Sequence, residues 1–465
     1  MTHSKRHASA AAIFGAALLG GTFLSSPASA EPPKPVAGLD KINHIIVIYL
    51  ENRSFDNLYG LFPGANGIAN AGDSATQVDR DGKPYEVLPP VLNSNRKTPD
   101  GKYAVDTRFP TDLPNKPYRS EAFANIEQVT GDAWHRYYQE QYQINDGKMN
   151  KFVSWSDAGS LVMSYYDGSR LPLWDYAKKY VLMDNFFHAG FGGSFLNHFY
   201  LVCACTPVYK SAPEALVARL DDKGVVAKDG AVTPDGFAVN TMQPVNGPHA
   251  ASITDPALLL PVQDMPNIGT RLTQKGVSWA WYSGGWDDAV AGKPDPEFQF
   301  HHQVFAMFKD TANGTEGAKA HLKDELDMVK GIHQGELPQV VFFKPLGEDN
   351  EHPGYTNVTS GEHHTVDLLK MIERSPIWKD SVVVITYDEN GGLWDHVAPP
   401  KIDKWGPGAR VPTLVISPLA RKGFVDHTQY DTTAILKLIE TRFGLEPLGP
   451  RDAASGDLTT ALDLN

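Results

Sequence analysis

Only two cysteines occur in 465 residues, Cys203 and Cys205, one residue apart. A chain this poor in cysteine has no disulfide framework and must rely on its core, which its length permits. A bond between such close neighbours is awkward in a regular helix or strand. The expectation is therefore two buried, small apolar side chains rather than a redox or metal pair. Basic charge is also short, with 42 Lys and Arg against 55 Asp and Glu, a formal net charge of −13. The first 30 residues carry only Lys5 and Arg6 as charged groups, so a chain beginning at Glu31 has a formal charge of −15. That excess argues against nucleic-acid binding by phosphate neutralisation and against attraction to anionic membrane surfaces. Long apolar runs are missing as well: beyond residue 30 nothing approaches about 18 uninterrupted apolar residues, so no stable membrane insertion of the mature chain is expected.

The N-terminus reads as an export signal over residues 1–30. Basic SKRH precedes apolar AAAIFGAALLGGTFL, and Ala28-Ser29-Ala30 supplies small residues before a cleavage near Ala30-Glu31. The basic pair is Lys-Arg, not Arg-Arg, which favours the general export route over the twin-arginine one. A periplasmic or secreted protein is expected, with residues 31–465 forming a single catalytic domain.

Apolar, β-branched runs alternate with amphipathic helical patterns along that domain. HIIVIYL, YVLMDNF, VSWAWYS, QVVFFKP, SVVVITY and VPTLVIS read as strands buried on both faces. WHRYYQEQY, LPLWDYAKKY, NIGTRLTQKG, HLKDELDMVKGI, HHTVDLLKMIERS and TTAILKLIETRF read as helices between them. The alternation predicts an α/β fold, an α/β/α sandwich around a mostly parallel sheet. Two stretches, about residues 64–120 and 206–262, lack this rhythm and read as long loop excursions.

Polar residues at strand ends carry the chemistry. Ile45–Leu50 stops at Glu51-Asn52, and SVVVITY stops at Asp388-Glu389. In an open α/β sheet, ligands bind beyond the carboxyl ends of strands. Oxygen donors there suit a divalent cation, which would neutralise carboxylates that otherwise repel. A plain helix entry, with Asn52 or Ser54 as the cap, is the other reading of ENRSFD. In GFGGSFLNH, glycines lead into Ser194 at the start of an apolar helix. That is either an ordinary Ser cap or a nucleophile beside free N–H groups. Of sixteen histidines, His135, His301, His302, His352, His363, His364 and His396 lie in polar, turn-flanked clusters suited to phosphate binding or proton donation.

With those residues in place, the chain resembles the bacterial phosphoesterase family that groups acid phosphatases with phospholipases C, on an alkaline-phosphatase-like fold. The likeness runs through NHIIVIYLENRSFDNLYG, HRYYQEQYQINDGKMNKFV, GFGGSFLNHFYL, FQFHHQ, EHPGYTNVTSGE and WKDSVVVITYDENGGLWDHVAPP. It implies Glu51, Asn52, Asp388 and Glu389 as metal ligands, with Ser194 the nucleophile that touches the metal. His135, His302 and His352 would ring the phosphoryl oxygens, one of them acting as general acid. Of the adjacent pair, His302 is preferred; His301, Asp395 and His396 are expected near the site without assigned roles. One divalent ion is expected, since no His or Asp cluster in the sequence clearly completes a second site. Oxygen ligands fit Ca²⁺, Mg²⁺ or Mn²⁺, while relatives of the fold that use zinc keep Zn²⁺ open.

Gly-Gly-Ser at the nucleophile is similar to the acid phosphatase branch, whereas the phospholipases tend to carry Gly-Pro-Thr. The larger phospholipases also have C-terminal β domains that are not seen in this sequence. The expected activity is metal-dependent hydrolysis of small phosphate monoesters through a phosphoserine, favoured at acidic pH. The alternative is a phospholipase C or other phosphodiesterase using the same site. A non-catalytic phosphate-binding protein is a third reading. A sulfatase requires C/S-x-P-x-R, which neither CACTPV nor GSFLNH supplies.

Overall fold

His44–Leu50 is a run of β-branched and aromatic residues with no small or charged interruption, and it forms the central strand, β1. From Ile45 to Leu50 no residue is more than 1% exposed. Successive strand residues point to opposite faces, so uninterrupted burial requires cover on both sides. The result is a three-layer α/β arrangement, seen here in a computed structural model that describes Met1 and residues 31–465. The export-signal reading falls on residues outside those described. No helix among the described residues is long and apolar enough to cross a membrane.

Seven further strands complete the sheet: β2 Val181–Met183, β3 Trp279–Ser283, β4 Leu322–Asp324, β5 Val340–Lys344, β6 Ser381–Tyr387, β7 Thr413–Ile416 and β8 Phe424–Asp426. Their spatial order is β4-β3-β5-β1-β6-β7-β2-β8. All pairings are parallel except the two made by β7. Register fixes which strand ends meet. Leu50 lies beside Tyr387 and Ile48 beside Phe343, so Glu51 leaves the sheet next to Asp388, and Lys344 comes level with Tyr49.

Each of the six strand expectations contains a strand, and each helix expectation a helix. One segment divides: HLKDELDMVKGI begins as edge strand β4 and becomes helical only at Glu325–Gln334. Asp324, at the junction, accepts from Leu326 N–H and starts the helix.

The cysteine expectation is overturned. Cys203 and Cys205 are joined by a disulfide, with their Cα atoms 5.1 Å apart. Cys203 is the last residue of a helix, and Ala204 takes a left-handed conformation (φ 50°). That turn reverses the chain within one residue, a geometry neither a continuing helix nor a strand provides.

The excursions form only short ladders, such as Leu92–Lys97 with Tyr103–Val105. The first is held by a second apolar cluster that includes Phe109, Tyr118, Phe152 and Trp394. Trp394 lies in the loop after β6 and donates to the Met149 carbonyl at 2.9 Å. Packing thus couples the excursion to the strand end that carries Asp388.

Glu440, on the helix Thr433–Phe443, is fully buried with neither carboxyl oxygen accepting a hydrogen bond. Burial first, and then nearby Asp452, push its pKa up to about 9. The folded protein therefore keeps a proton that the unfolded chain, titrating near 4.5, has lost. Stability falls as pH rises between these values, by about 1.4 kcal/mol per pH unit from this one group. Denaturant unfolding from pH 5 to 8 should show Glu440→Gln losing that share of the slope and gaining most over the parent at pH 8.

Candidate active site

The strand register places Glu51 and Asp388 side by side, and the chain then turns sharply. Asn52 adopts a left-handed conformation (φ 55°), which Asn tolerates better than most residues. The helix-entry reading of ENRSFD holds at Ser54. Ser54 caps the short helix Phe55–Tyr59 through Asn57 N–H, while Glu51 and Asn52 stay behind at the strand end.

Asp388 Oδ1 accepts from Asn52 N–H at 3.2 Å and from Glu389 N–H at 2.8 Å. Its Oδ2 accepts no hydrogen bond. Glu389 Oε2 accepts from Gly391 N–H, while its Oε1 accepts none. Ser194 Oγ donates to Glu51 Oε2 at 3.0 Å and lies 3.5 Å from Asn52 Oδ1. Glu51, Asn52, Asp388 and Glu389 are all fully buried. Burial pushes Asp388 up to about 7, reinforced by Glu51, and raises Glu389 well above its ordinary value, reinforced by Asp388. Burial acts upward on Glu51 too, but Lys344 and His302 outweigh it and hold its carboxyl well below the usual range. Two buried carboxylate oxygens without donors, beside an amide and a hydroxyl, form an all-oxygen donor set. A hard divalent cation fits it and would remove the repulsion that raises Asp388 and Glu389.

Ser194 opens the helix Ser194–Cys203, but it is not the cap; Gly193 is. The side chain is therefore not spent on capping the helix, and its hydroxyl faces Glu51. Gly192 (φ 89°) brings the loop against the segment ahead of helix Tyr137–Ile144, where a β-carbon would lie 2.4 Å from Tyr137 N. Glu140 of that helix accepts from Gly192 N–H at 2.5 Å and sits 2.9 Å from His188 Nε2. A buried ion-pairing carboxylate thus fixes the backbone two residues before the hydroxyl.

His135, His301, His302 and His352 line one cavity of about 480 Å³ with Glu51 and Ser194. They differ in which nitrogen is free. His135 Nδ1 donates to the Ala133 carbonyl at 2.7 Å, and His352 Nδ1 donates to the Pro353 carbonyl. Their Nε2 atoms face inward: that of His135 lies 3.5 Å from Asn52 Nδ2 and 3.9 Å from Glu389 Oε1, and that of His352 lies 4.0 Å from Glu51 Oε2. His302 Nε2 instead lies 2.7 Å from Glu51 Oε1, so this nitrogen is engaged by a metal-ligand candidate rather than left open to the cavity. Burial pushes His302 down to about 4 and His352 below its ordinary value.

Asp395 and His396 do not line the cavity. Asp395 takes two hydrogen bonds from fully buried Arg410, at 2.8 and 3.0 Å, and His396 Nδ1 lies 2.6 Å from Asp56. This network ties the loop after β6 to helix Phe55–Tyr59. His364 pairs with Glu325 at 2.8 Å, outside the cavity.

Two residues went unweighed in the sequence. Lys344, at the end of β5, places Nζ 2.6 Å from Glu51 Oε1. A charged residue closing an apolar strand, as in VVFFKP, was the available signal. His198 donates from Nδ1 to the Ser194 carbonyl at 2.7 Å and stacks on His302 at 5.1 Å. A histidine four residues after the serine in one helix was the corresponding signal.

Oxygen donors suited to a cation, a serine hydroxyl and several histidines are thus brought together at one place. Residues 42–446 match the model of the Phosphoesterase family, and the chain belongs to that family. It is 24% identical to a non-hemolytic phospholipase C of Pseudomonas aeruginosa, over 91% of this chain and 58% of the relative. It is 25% identical to phospholipase C B of Mycobacterium tuberculosis, over 91% of this chain and 78% of that one. The chain thus spans between 58% and 78% of the length of these two relatives. A solved structure described as a protein in the alkaline phosphatase superfamily, from Vibrio parahaemolyticus, overlays with TM-score 0.36 at 10% identity, covering 84% of this chain and 77% of that one.

Proposed function

We propose that residues 31–465 form an exported phosphoesterase that hydrolyses water-soluble phosphate monoesters through Ser194, using one divalent cation held by Glu51, Asn52, Asp388, Glu389 and Ser194 itself. Ca²⁺, Mg²⁺ and Mn²⁺ suit the donors best, with Zn²⁺ the alternative. When bound, the cation supplies charge that lowers the serine pKa and stabilises the phosphoryl oxygens. Ser194 Oγ, ionised beforehand with its proton lost to solvent, attacks phosphorus opposite the leaving oxygen, forming the O–P bond of a phosphoserine as the ester bond breaks. His135 and His352 present Nε2 to the phosphoryl group, and the protonated one of the two gives its proton to the leaving oxygen. Water then attacks the phosphoserine, losing its proton to the same histidine and restoring Ser194. His302 orients Glu51 rather than touching phosphate.

The observation that carries the choice of substrate is the cavity wall. Beyond the histidines it is built from Ser94, Asn95, Asp132, Thr241, Gln299 and Tyr355. Both excursions contribute, and among the described residues Pro353 is the sole aliphatic side chain lining it. A polar wall matches a hydroxylated leaving group better than acyl chains. The names of the relatives favour the second reading, phospholipase C.

The two are separated by assaying residues 31–465 on p-nitrophenyl phosphate and on phosphatidylcholine vesicles from pH 4 to 9. Inorganic phosphate from the first, with an optimum on the acid side of neutrality, is expected. Rising pH deprotonates His352, which burial already holds below its ordinary pKa, so the proton donor is lost as pH climbs. Faster release of phosphocholine from vesicles than of phosphate from the monoester would overturn the monoesterase reading.

A further inference from the structure

Lys344 is fully buried, and it is not among the residues lining the cavity. A substrate in that cavity therefore does not meet it. Its ammonium group sits behind the site, 2.6 Å from Glu51 Oε1, 3.3 Å from the Leu50 carbonyl and 3.7 Å from Asp388 Oδ2. The Tyr49 ring lies 5.2 Å away. Burying an ammonium costs several kcal/mol in desolvation, and an apolar side chain would fill the same place more cheaply. Its charged partners are two carboxylates, Glu51 and Asp388, and both belong to the oxygen set assigned to the cation.

From this arrangement we infer that Lys344 is a positioning residue that makes Glu51 a one-oxygen ligand and balances the site for a single divalent ion. Lys344 Nζ and His302 Nε2 lie 2.6 and 2.7 Å from Oε1 of Glu51, the oxygen that does not accept from Ser194. Oε2 is the oxygen left to accept the Ser194 hydrogen bond. Charge points the same way. Glu51, Asp388 and Glu389 bring three negative charges, Lys344 brings one positive, and one divalent ion closes the sum to zero. The register of β1 against β5 sets this up, because it brings the last residue of β5 level with Tyr49, two before Glu51.

The inference rests on the proposed cation, and its test separates the two. Metal-free protein is titrated with Mn²⁺ by calorimetry, alongside steady-state hydrolysis of p-nitrophenyl phosphate, for the parent chain, Lys344→Met and Lys344→Arg. The parent should bind one ion. In Lys344→Met both oxygens of Glu51 can turn to the ion and a repelling charge is gone. Mn²⁺ affinity should then rise by about tenfold while kcat falls by roughly tenfold to a hundredfold, a range typical of groups that orient metal ligands. Lys344→Arg keeps the charge and should hold Mn²⁺ affinity within about threefold. Opposite movement of affinity and turnover is a signature that a merely structural lysine does not give. Affinity and kcat falling together in Lys344→Met, or neither changing, overturns the inference. If Lys344→Met does not fold, Lys344→Gln keeps a donor to Glu51 without the charge and carries the same expectation. A parent chain that binds no Mn²⁺ instead overturns the cation reading itself.

Discussion

Replacing Ser194 by Ala is expected to cut hydrolysis of p-nitrophenyl phosphate by roughly 10⁴-fold or more, the scale seen when a catalytic nucleophile is removed. The hydroxyl is its whole contribution. Gly193, not Ser194, occupies the cap position, and the serine side chain caps nothing. Removing one oxygen should therefore leave the helix and the fold in place. Melting temperature should stay within a few degrees, and the cation should still bind through four remaining ligands. Acid quenching of the parent during turnover should trap phosphate covalently on Ser194, and the variant should trap none. Equal hydrolysis by both proteins would remove serine from the mechanism. Phosphate binding by both, with turnover by neither, would establish the non-catalytic reading instead.

Asp388→Asn should act through the cation. The substitution keeps shape but removes one of three carboxylate charges at the strand ends. Cation affinity is expected to drop by roughly a hundredfold and activity at fixed cation concentration by a comparable or larger factor. Stability should move the other way in metal-free protein. Burial and Glu51 hold the Asp388 carboxyl up to about 7, whereas its ordinary value is 3.8. Without the ion, folding therefore takes up a proton between those values, and stability falls as pH rises from about 4 to 7. An amide in its place takes up no such proton, so the variant should lose that slope and exceed metal-free parent in stability at pH 7. A chelator should lower the melting temperature of the parent, by removing a ligand specific to the folded state, and barely change the variant. Calorimetric titration and chelator melts at pH 5 and 7 measure both effects. A chelator that leaves parent stability and activity untouched would exclude a bound cation.

Much of the site was legible because polar residues at the ends of apolar strands contradict their surroundings. Glu51-Asn52 and Asp388-Glu389 stand where burial is expected and carry side chains that burial penalises. Ser194 was legible as either a cap or a nucleophile, and the observed cap at Gly193 leaves its hydroxyl free of the helix end. The histidines were legible as a group but not by role. His302 and His352 look alike in sequence; which one keeps a free nitrogen depends on whether Glu51 or the Pro353 carbonyl lies beside it.

The alternation of apolar strand and amphipathic helix was enough to determine an α/β sheet, because period and composition are local properties of the chain. The acidic strand ends were likewise readable, since a charge closing a buried run is conspicuous wherever the strand later pairs. Tertiary structure alone decided the rest. Lys344 became part of the site only through the register of β1 against β5, across 294 residues of separation. Asp395 and His396 were drawn to Arg410 and Asp56 instead of the cavity, and the disulfide depended on a left-handed turn at Ala204. Each is a matter of which distant groups meet, and burial makes such meetings energetically decisive: an unpaired charge or polar atom in the core costs far more than one in water.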